Sequence, residues 1–482
     1  MENVKNTEVS EKHLPRNALG LAHVVFFVVA AAAPLAAVVG GTPPAFALGN
    51  GPGVPGAFIL TGVLYLIFAV GFTTIARHVR GAGAYYTFIT RGINGIAGMG
   101  GGFMAIAAYY TMEIAVYALF GVFVATEVGP LGLSLPWWVW AFAILCVVTF
   151  CGQRNIEISG RILGVCMLAE ITILLILNIA IIFHAGHGNA AALSTSGFRP
   201  SEVFGHGLGL TLVFVFGAYI GIEATAIFGE EAKTPERTIP RATYIAIASI
   251  TIFYAFTTWA IVQYYGPKHI QDIANKSMAT FYFTPAQSLL GDWSEQIMNI
   301  LVLTSLFACL LALHNTLNRY VYCLGREGVV WRSLASVHIH HGSPHIASWL
   351  QSSFVLITLV AFVLGHADPY AVIFSWLSAL AALGILAVQA LTSIAVIIFF
   401  RRTSYNESFL STVVAPVLAA IGLVVAFILV SFNLGLLTGS SSLLVKSFPW
   451  VILGIGIIGA LLGMYLRQAR PETYAALGRY LI

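Results

Sequence analysis

The chain has 482 residues, of which 59% are hydrophobic and only 9% charged, whereas a soluble domain carries about 25% charged residues. Its net charge of +4 is small and points to no nucleic-acid partner. Apolar runs of about 20 residues recur along nearly the whole length, the mark of an all-α polytopic membrane protein rather than a β-barrel, which alternates in segments of about 10 residues.

The segment Met1–Asn17 is polar and mixed in charge, without the basic start and small-residue cleavage site of a signal peptide. Beyond it the apolar runs predict twelve transmembrane helices, at residues 19–48, 54–76, 96–126, 136–153, 160–183, 205–229, 240–265, 296–324, 346–365, 370–400, 411–437 and 448–466. An even number puts both termini on one side. If that side is the cytoplasm, the inner segments hold 19 of the 23 Lys and Arg, and the outer ones hold only Arg199, Lys268, Lys276 and Lys446. That asymmetry is expected of an inner (plasma) membrane protein with both tails cytoplasmic. The cysteines (Cys146, Cys151, Cys166, Cys309, Cys323) lie in or beside apolar runs with no CxxC spacing, so no disulfide framework is expected.

The first span is long and interrupted. Pro34 removes a backbone donor and clashes with the preceding turn, and Gly40, Gly41, Pro43 and Pro44 loosen the chain again. After the second span, GAGAYYTF (residues 81–88) carries glycines suited to a tight re-entry, with Tyr85 and Tyr86 suited to the interfacial belt. The sixth span carries Gly217 and Gly221 four residues apart, with Glu223 just after them. Interrupted backbone at membrane depth must face protein or a water-filled cavity. Breaks in the first and sixth helices, at matching places in two five-helix halves, are the pattern of an inverted-repeat transporter.

The run FGAYIGIE (216–223), followed by GEEAKTPERTIPRA (229–242), resembles the sixth-helix signature of the amino acid–polyamine–organocation permeases, with Thr234 where that family usually has Asn before Pro. GAGAYYTF resembles the family's Gly-Gly-x-Tyr motif, and LGREGVV (324–330) its Arg-Asp-Gly segment after helix eight. The resemblance covers roughly Leu19–Phe400. It implies a leucine-transporter-like 5+5 inverted repeat over 19–400 (halves 19–183 and 205–400). Helices 11 and 12 would occupy 401–466, and the tails 1–18 and 467–482. It also implies alternating access, with substrate held between the unwound parts of helices one and six, driven by protons, sodium or exchange. At the first break the family's usual Gly-Ser-Gly is replaced by Pro34, Leu35 and Ala36, which leaves fewer backbone donors.

On that basis substrate is expected to meet backbone at Ala33, Pro34, Leu35, Ala36 and Ala37, and at Phe216, Gly217, Ala218 and Gly221, with Tyr219, Tyr109 and Glu113 shaping the side-chain pocket. Tyr109, Glu113 and Tyr117 recur at i, i+4, i+8 and share a helix face. Glu113 is expected to meet an amine or cationic head group among these aromatics or, with Glu170, to carry the coupling proton, or else it packs within the bundle. Glu170, in the middle of the fifth span, is either a proton carrier or a structural acid; a carboxyl group in apolar surroundings favours its neutral form. Glu223 is expected to brace the broken sixth helix. Every Lys and Arg sits at or beyond a span end, so the three acids are protonated, hydrogen-bonded or matched by a bound cation. His314 and Asn315 lie in the eighth span, where a lone histidine usually packs. His338, His340, His341 and His345 lie in an inner loop with no acid or cysteine to complete a metal site.

No HExxH, GxSxG or Walker motif is present, so no enzyme and no cofactor is expected. The expected function is import of an amino acid or related amine by a secondary active transporter, coupled to protons. The alternatives are obligate exchange and, from another class, a non-transporting nutrient receptor. Oligomeric state is left open by the sequence.

Overall fold

Lipid offers no hydrogen bonds to the backbone, so an apolar chain must satisfy its own. Every element among the described residues is accordingly helical. This computed structural model describes residues 20–79, 83–129, 132–153, 156–186, 193–227, 234–338, 341–438 and 443–479. The expected tail 1–18, the pair Glu230 and Glu231, and His340 fall outside them.

The first apolar run divides into α1 (Leu21–Ala31) and α2 (Pro34–Leu48). The interruption falls at Ala32–Ala33, just before Pro34. Ala33 takes the left-handed conformation (φ 44°, ψ 71°) and Pro34 opens α2, where its fixed φ and missing N–H do no harm. Gly40 and Gly41 do not open the chain; they lie in a π-helical turn, Ala37–Gly41. Next come α3 (Val54–His78), the short α4 (Tyr85–Gly92), α5 (Gly95–Val128), α6 (Trp137–Gly152) and α7 (Ile156–Gly186). The sixth run also divides, into α8 (Leu208–Gly217) and α9 (Ala224–Ile227). Then follow α10 (Pro235–Tyr265), α11 (Ile270–Lys276), α12 (Phe283–Leu290), α13 (Asp292–Arg326), α14 (His345–Leu364), α15 (Pro369–Arg402), α16 (Leu410–Asn433), α17 (Phe448–Ala469) and α18 (Pro471–Ala476).

Among the described residues nine helices are long and apolar enough to cross a membrane, and three shorter apolar ones are α2, α6 and α8. These stand where the first, fourth and sixth spans are expected. Each is short for a reason written in the chain. A break truncates α2 and α8, and α6 starts only after Pro136 and ends at Gly152.

Small residues let the helices approach closely where no hydrophobic effect pulls them together. Along the α5–α17 seam, a Cβ on Gly459 would lie 2.6 Å from the Met99 carbonyl oxygen. The core is rich in buried tyrosines. Tyr85 and Tyr86, expected at the interface, are each 1% exposed. Each hydroxyl instead donates to a buried carboxylate, Glu223 for Tyr85 and Glu327 for Tyr86.

Candidate functional site

The two breaks come together, and each is held by its own buried acid. At the first, the last turn of α1 leaves carbonyls without helical donors, and the Tyr254 hydroxyl donates to the Ala32 carbonyl at 2.9 Å. The N-terminus of α2 has no side-chain cap of its own. The Ala36 N–H donates instead to Ser305 Oγ on α13 at 3.2 Å. The Glu170 carboxyl, 2% exposed on α7, lies within electrostatic reach of the Leu35 backbone and of the Ser305 and Thr304 hydroxyls, and its Oε2 accepts no hydrogen bond from the described residues. A carboxyl group at an uncapped helix N-terminus meets free N–H groups and the positive end of the helix dipole.

At the second break, residues 218–223 form a run of turns between α8 and α9. Gly221 takes φ +109°, a conformation that L side chains rarely adopt. Its N–H donates to Glu223 Oε1 at 3.1 Å. The Tyr109 hydroxyl donates to the same oxygen, and the Tyr85 hydroxyl donates to Oε2 at 3.2 Å. Behind them Gln389 Nε2 donates to Tyr85 at 2.9 Å and to Tyr65 at 3.2 Å. Tyr65 stacks on Tyr219, with ring centroids 4.8 Å apart, and the Tyr219 hydroxyl pairs with Thr251 Oγ1 at 2.8 Å.

Between the breaks lies a cavity of about 60 Å³, well below the roughly 300–1,000 Å³ of an open small-molecule site. Ala32, Ala33, Ala36, Ala37 and Gly41 line it from the first break, and Val213, Phe214, Gly217, Ala218 and Ile220 from the sixth run. Met112, Val116 and Leu119 of α5, Leu306, Cys309 and Leu313 of α13, and Phe374 and Ser378 of α15 complete the wall. Among the described residues no carboxylate or basic side chain lines it.

Of the expected substrate residues, the structure brings Ala33, Ala36, Ala37, Gly217 and Ala218 to this cavity. Pro34, Leu35, Phe216, Gly221, Tyr109, Glu113 and Tyr219 are not part of its lining, nor are Glu170 and Glu223. Helical geometry explains the difference on α5. The i, i+4, i+7 face of Met112, Val116 and Leu119 meets the cavity, and the Glu113 face turns toward α13 and α14. There Glu113, fully buried, accepts a hydrogen bond from Gln351 Nε2, and its Oε1 lies 3.6 Å from His314 Nδ1. His314 Nε2 pairs with Ser348 Oγ at 2.8 Å. Glu113 thus has a partner that the Lys and Arg positions did not reveal. The wall on α13 and α15 was not foreseen either. Only the spacing of Leu306, Cys309 and Leu313, and of Phe374 and Ser378, carries a signal for it, and any buried face shows the same spacing. In the histidine loop, the rings of His338 and His341 stack with centroids 4.8 Å apart.

Comparison with known proteins bears on what this cavity takes. A family model described as amino acid permease matches residues 23–466. The chain is 23% identical over 431 residues to the branched-chain amino acid permease BcaP of Bacillus subtilis (strain 168), covering 84% of this chain and 85% of that protein. It is 22% identical over 347 residues to BcaP of Lactococcus lactis subsp. cremoris (strain MG1363), covering 68% and 71%. To the gamma-aminobutyric acid permease of Escherichia coli (strain K12) it is 24% identical over 318 residues, covering 64% and 66%.

Proposed function

The chain belongs to the amino acid permease family, a multi-pass membrane transporter and not an enzyme, and from that premise we propose that it imports an amino acid with an aliphatic side chain by proton-coupled alternating access. Twelve spans, two inverted five-helix halves and both termini in the cytoplasm complete this reading, supported by the two breaks and by the Lys and Arg asymmetry. The observation that carries the cargo is the cavity wall. It offers alkyl, thiol and aromatic side chains and one hydroxyl, with no carboxylate to pair a cationic side chain and no base to pair an acidic one. A buried ionic group without a partner costs several kcal/mol, about enough to exclude such cargo. The polar ends of a zwitterion are left to the interrupted backbone, where helix termini carry partial charge. Two relatives bearing the name branched-chain amino acid permease support the same side-chain class.

Glu170 is the group we assign to the coupling proton. On α7, it is buried within electrostatic reach of the α2 N-terminus at Leu35 and of Ser305 and Thr304 on α13, and its Oε2 is left without a hydrogen-bond partner among the described residues. Protonation removes the charge that favours the helix end, so it loosens α2 against α13 and ties proton loading to movement of the first break. Glu223 braces the second break in either protonation state, through its three donors.

Proteoliposomes loaded at pH 7.5 and diluted to pH 5.5 test this reading. Labelled leucine, isoleucine or valine should accumulate above equilibrium, and a protonophore should abolish the accumulation. Arginine and glutamate in a tenfold excess should not compete. Uptake that requires internal amino acid and ignores the pH step would establish exchange instead. Binding without flux would establish a receptor.

A further inference from the structure

A second concavity lies where the C-terminal tail meets the body. Thr90 and Arg91 of α4, Asn94 and Gly95 at the start of α5, Phe399 and Arg402 near the end of α15, and the tail from Tyr474 to Arg479 line an open concavity of about 400 Å³. Its lining among the described residues includes three guanidinium groups and no carboxylate. Among the described residues none of Arg91, Arg402 and Arg479 forms an ion pair. Arg402 Nη1 donates to the Ile93 carbonyl at 2.8 Å, which fixes the guanidinium and leaves the rest of its fork. The Asn94 side-chain oxygen accepts from the Ala97 N–H at 2.9 Å, so its amide nitrogen remains a further donor.

The wall formed by the tail is built into place. The Gly478 N–H donates to Glu327 Oε1 at 2.9 Å. Gly478 takes φ +63°, and a Cβ there would lie 2.7 Å from Thr90 Cγ2. Tyr474 packs so closely on α5 that a Cβ on Gly95 would lie 2.8 Å from its ring. Three like charges held around one space repel one another unless an anion joins them. Guanidinium forks match the oxygens of a phosphate group in charge and geometry.

Position then narrows the source of that phosphate. Gly95 opens one apolar helix long enough to cross a membrane, and Arg402 closes another. The pocket therefore stands at the edge of the hydrocarbon layer, at the depth of lipid headgroups. Phe399 and Leu477, 5% and 4% exposed, form the floor of the concavity beneath the charges. We propose that this pocket binds the phosphate of an anionic phospholipid headgroup and so fastens the C-terminal tail to α4, α5 and α15. The inference needs the chain to lie in a bilayer and is independent of its cargo and driving ion, so its failure leaves the transport reading intact.

The test uses the full chain purified in a neutral detergent. Dioleoylphosphatidylglycerol, dioleoylphosphatidylcholine or inorganic phosphate at matched ionic strength is added, and the thermal midpoint and retained lipid mass are read. Phosphatidylglycerol should raise the midpoint by several degrees and remain bound in native mass spectrometry, and phosphatidylcholine should do neither. In the double variant R91Q/R479Q the midpoint in phosphatidylcholine should be unchanged. Phosphatidylglycerol should bind it about 25-fold more weakly, at about fivefold for each lost charge. Arg402 is left alone because it also holds the α4–α5 turn. If the double variant does not fold, R479Q alone should show about fivefold weakening. Equal stabilisation by the two lipids, or an unchanged phosphatidylglycerol effect in the variants, overturns the site. Inorganic phosphate matching phosphatidylglycerol overturns the lipid as its occupant.

Discussion

Glu113 and Val116 stand three residues apart on α5 and face different worlds. Glu113 is locked among Gln351, His314 and the α13–α14 seam. Val116 looks into the cavity. Substituting the two should therefore separate stability from recognition. Glu113→Ala strands two buried polar partners, at a cost of about 3 kcal/mol. It should lower the thermal midpoint and leave leucine affinity within threefold of wild type. A large loss of affinity in a variant that stays folded would put Glu113 back at the substrate. Val116→Phe adds bulk to a wall already closed by Phe214, Phe374 and Leu313. It should weaken leucine binding tenfold or more, in line with about 1–3 kcal/mol for a methylene-sized misfit. Its midpoint should hold, because the added ring occupies the cavity rather than the core. Both readings come from one thermal-shift titration series with leucine. Glu170 makes a third case. Glu170→Gln removes the titrating group, so pH-driven accumulation should fall to the equilibrium level, whereas exchange of labelled for unlabelled leucine at equal pH should continue. Accumulation equal to wild type would sink its assignment to the proton.

At the scale of the helical element, the breaks are where backbone geometry gives way to function. Gly221 is required by its own conformation, φ +109°. Gly221→Ala there should cost more than about 1 kcal/mol and displace the N–H that Glu223 holds. Transport should be lost while helical content by circular dichroism stays unchanged; full activity with an unchanged midpoint would show that the turn is not strained. The two breaks were legible in the chain to different degrees. Gly217, Gly221 and Glu223 announce the second, because a glycine pair and an acid have little reason to share an apolar run otherwise. At the first, Pro34 marks the place, but the strained residue is Ala33, which carries no sequence signal for φ 44°. Nor does sequence show that Glu170 would lie near the Leu35 backbone. That proximity depends on α7 crossing α2, and a span list contains no crossings. The same holds for Tyr85 and Tyr86, whose amphipathic rings fit a membrane interface as well as they fit buried carboxylates.

The whole molecule is tied together at one more acid, outside the cavity. Glu327 stands one residue beyond α13, 4% exposed. It accepts hydrogen bonds from the Tyr86 hydroxyl of α4 and from the Gly478 N–H of the tail, and the Cys323 thiol lies 3.7 Å from its Oε1. α4, α13 and the C-terminal tail thus meet on a single carboxyl group. Burial pushes its pKa up from 4.5 to about 7, against the opposing pull of Tyr86, Gly478, Arg326 and Cys323. The folded state therefore holds this proton more tightly than the unfolded chain does. A raised carboxyl pKa gives stability that is fully present below about 4.5 and lost as pH rises to about 7. The gap corresponds to at most about 3 kcal/mol. Between pH 5 and pH 7.5 the thermal midpoint of the wild-type protein should fall, and that of Glu327→Gln should fall less, because the amide has no proton to lose: its oxygen can accept from the Gly478 N–H and its nitrogen can donate to the Tyr86 hydroxyl oxygen. Other groups titrate in the same window in both proteins, so the difference between the two profiles isolates Glu327. Superimposable profiles would mean that the junction does not sense pH. A difference confined to this window would make the attachment of the tail weaken as the medium turns neutral, with the basic pocket beside Arg479 left to hold it.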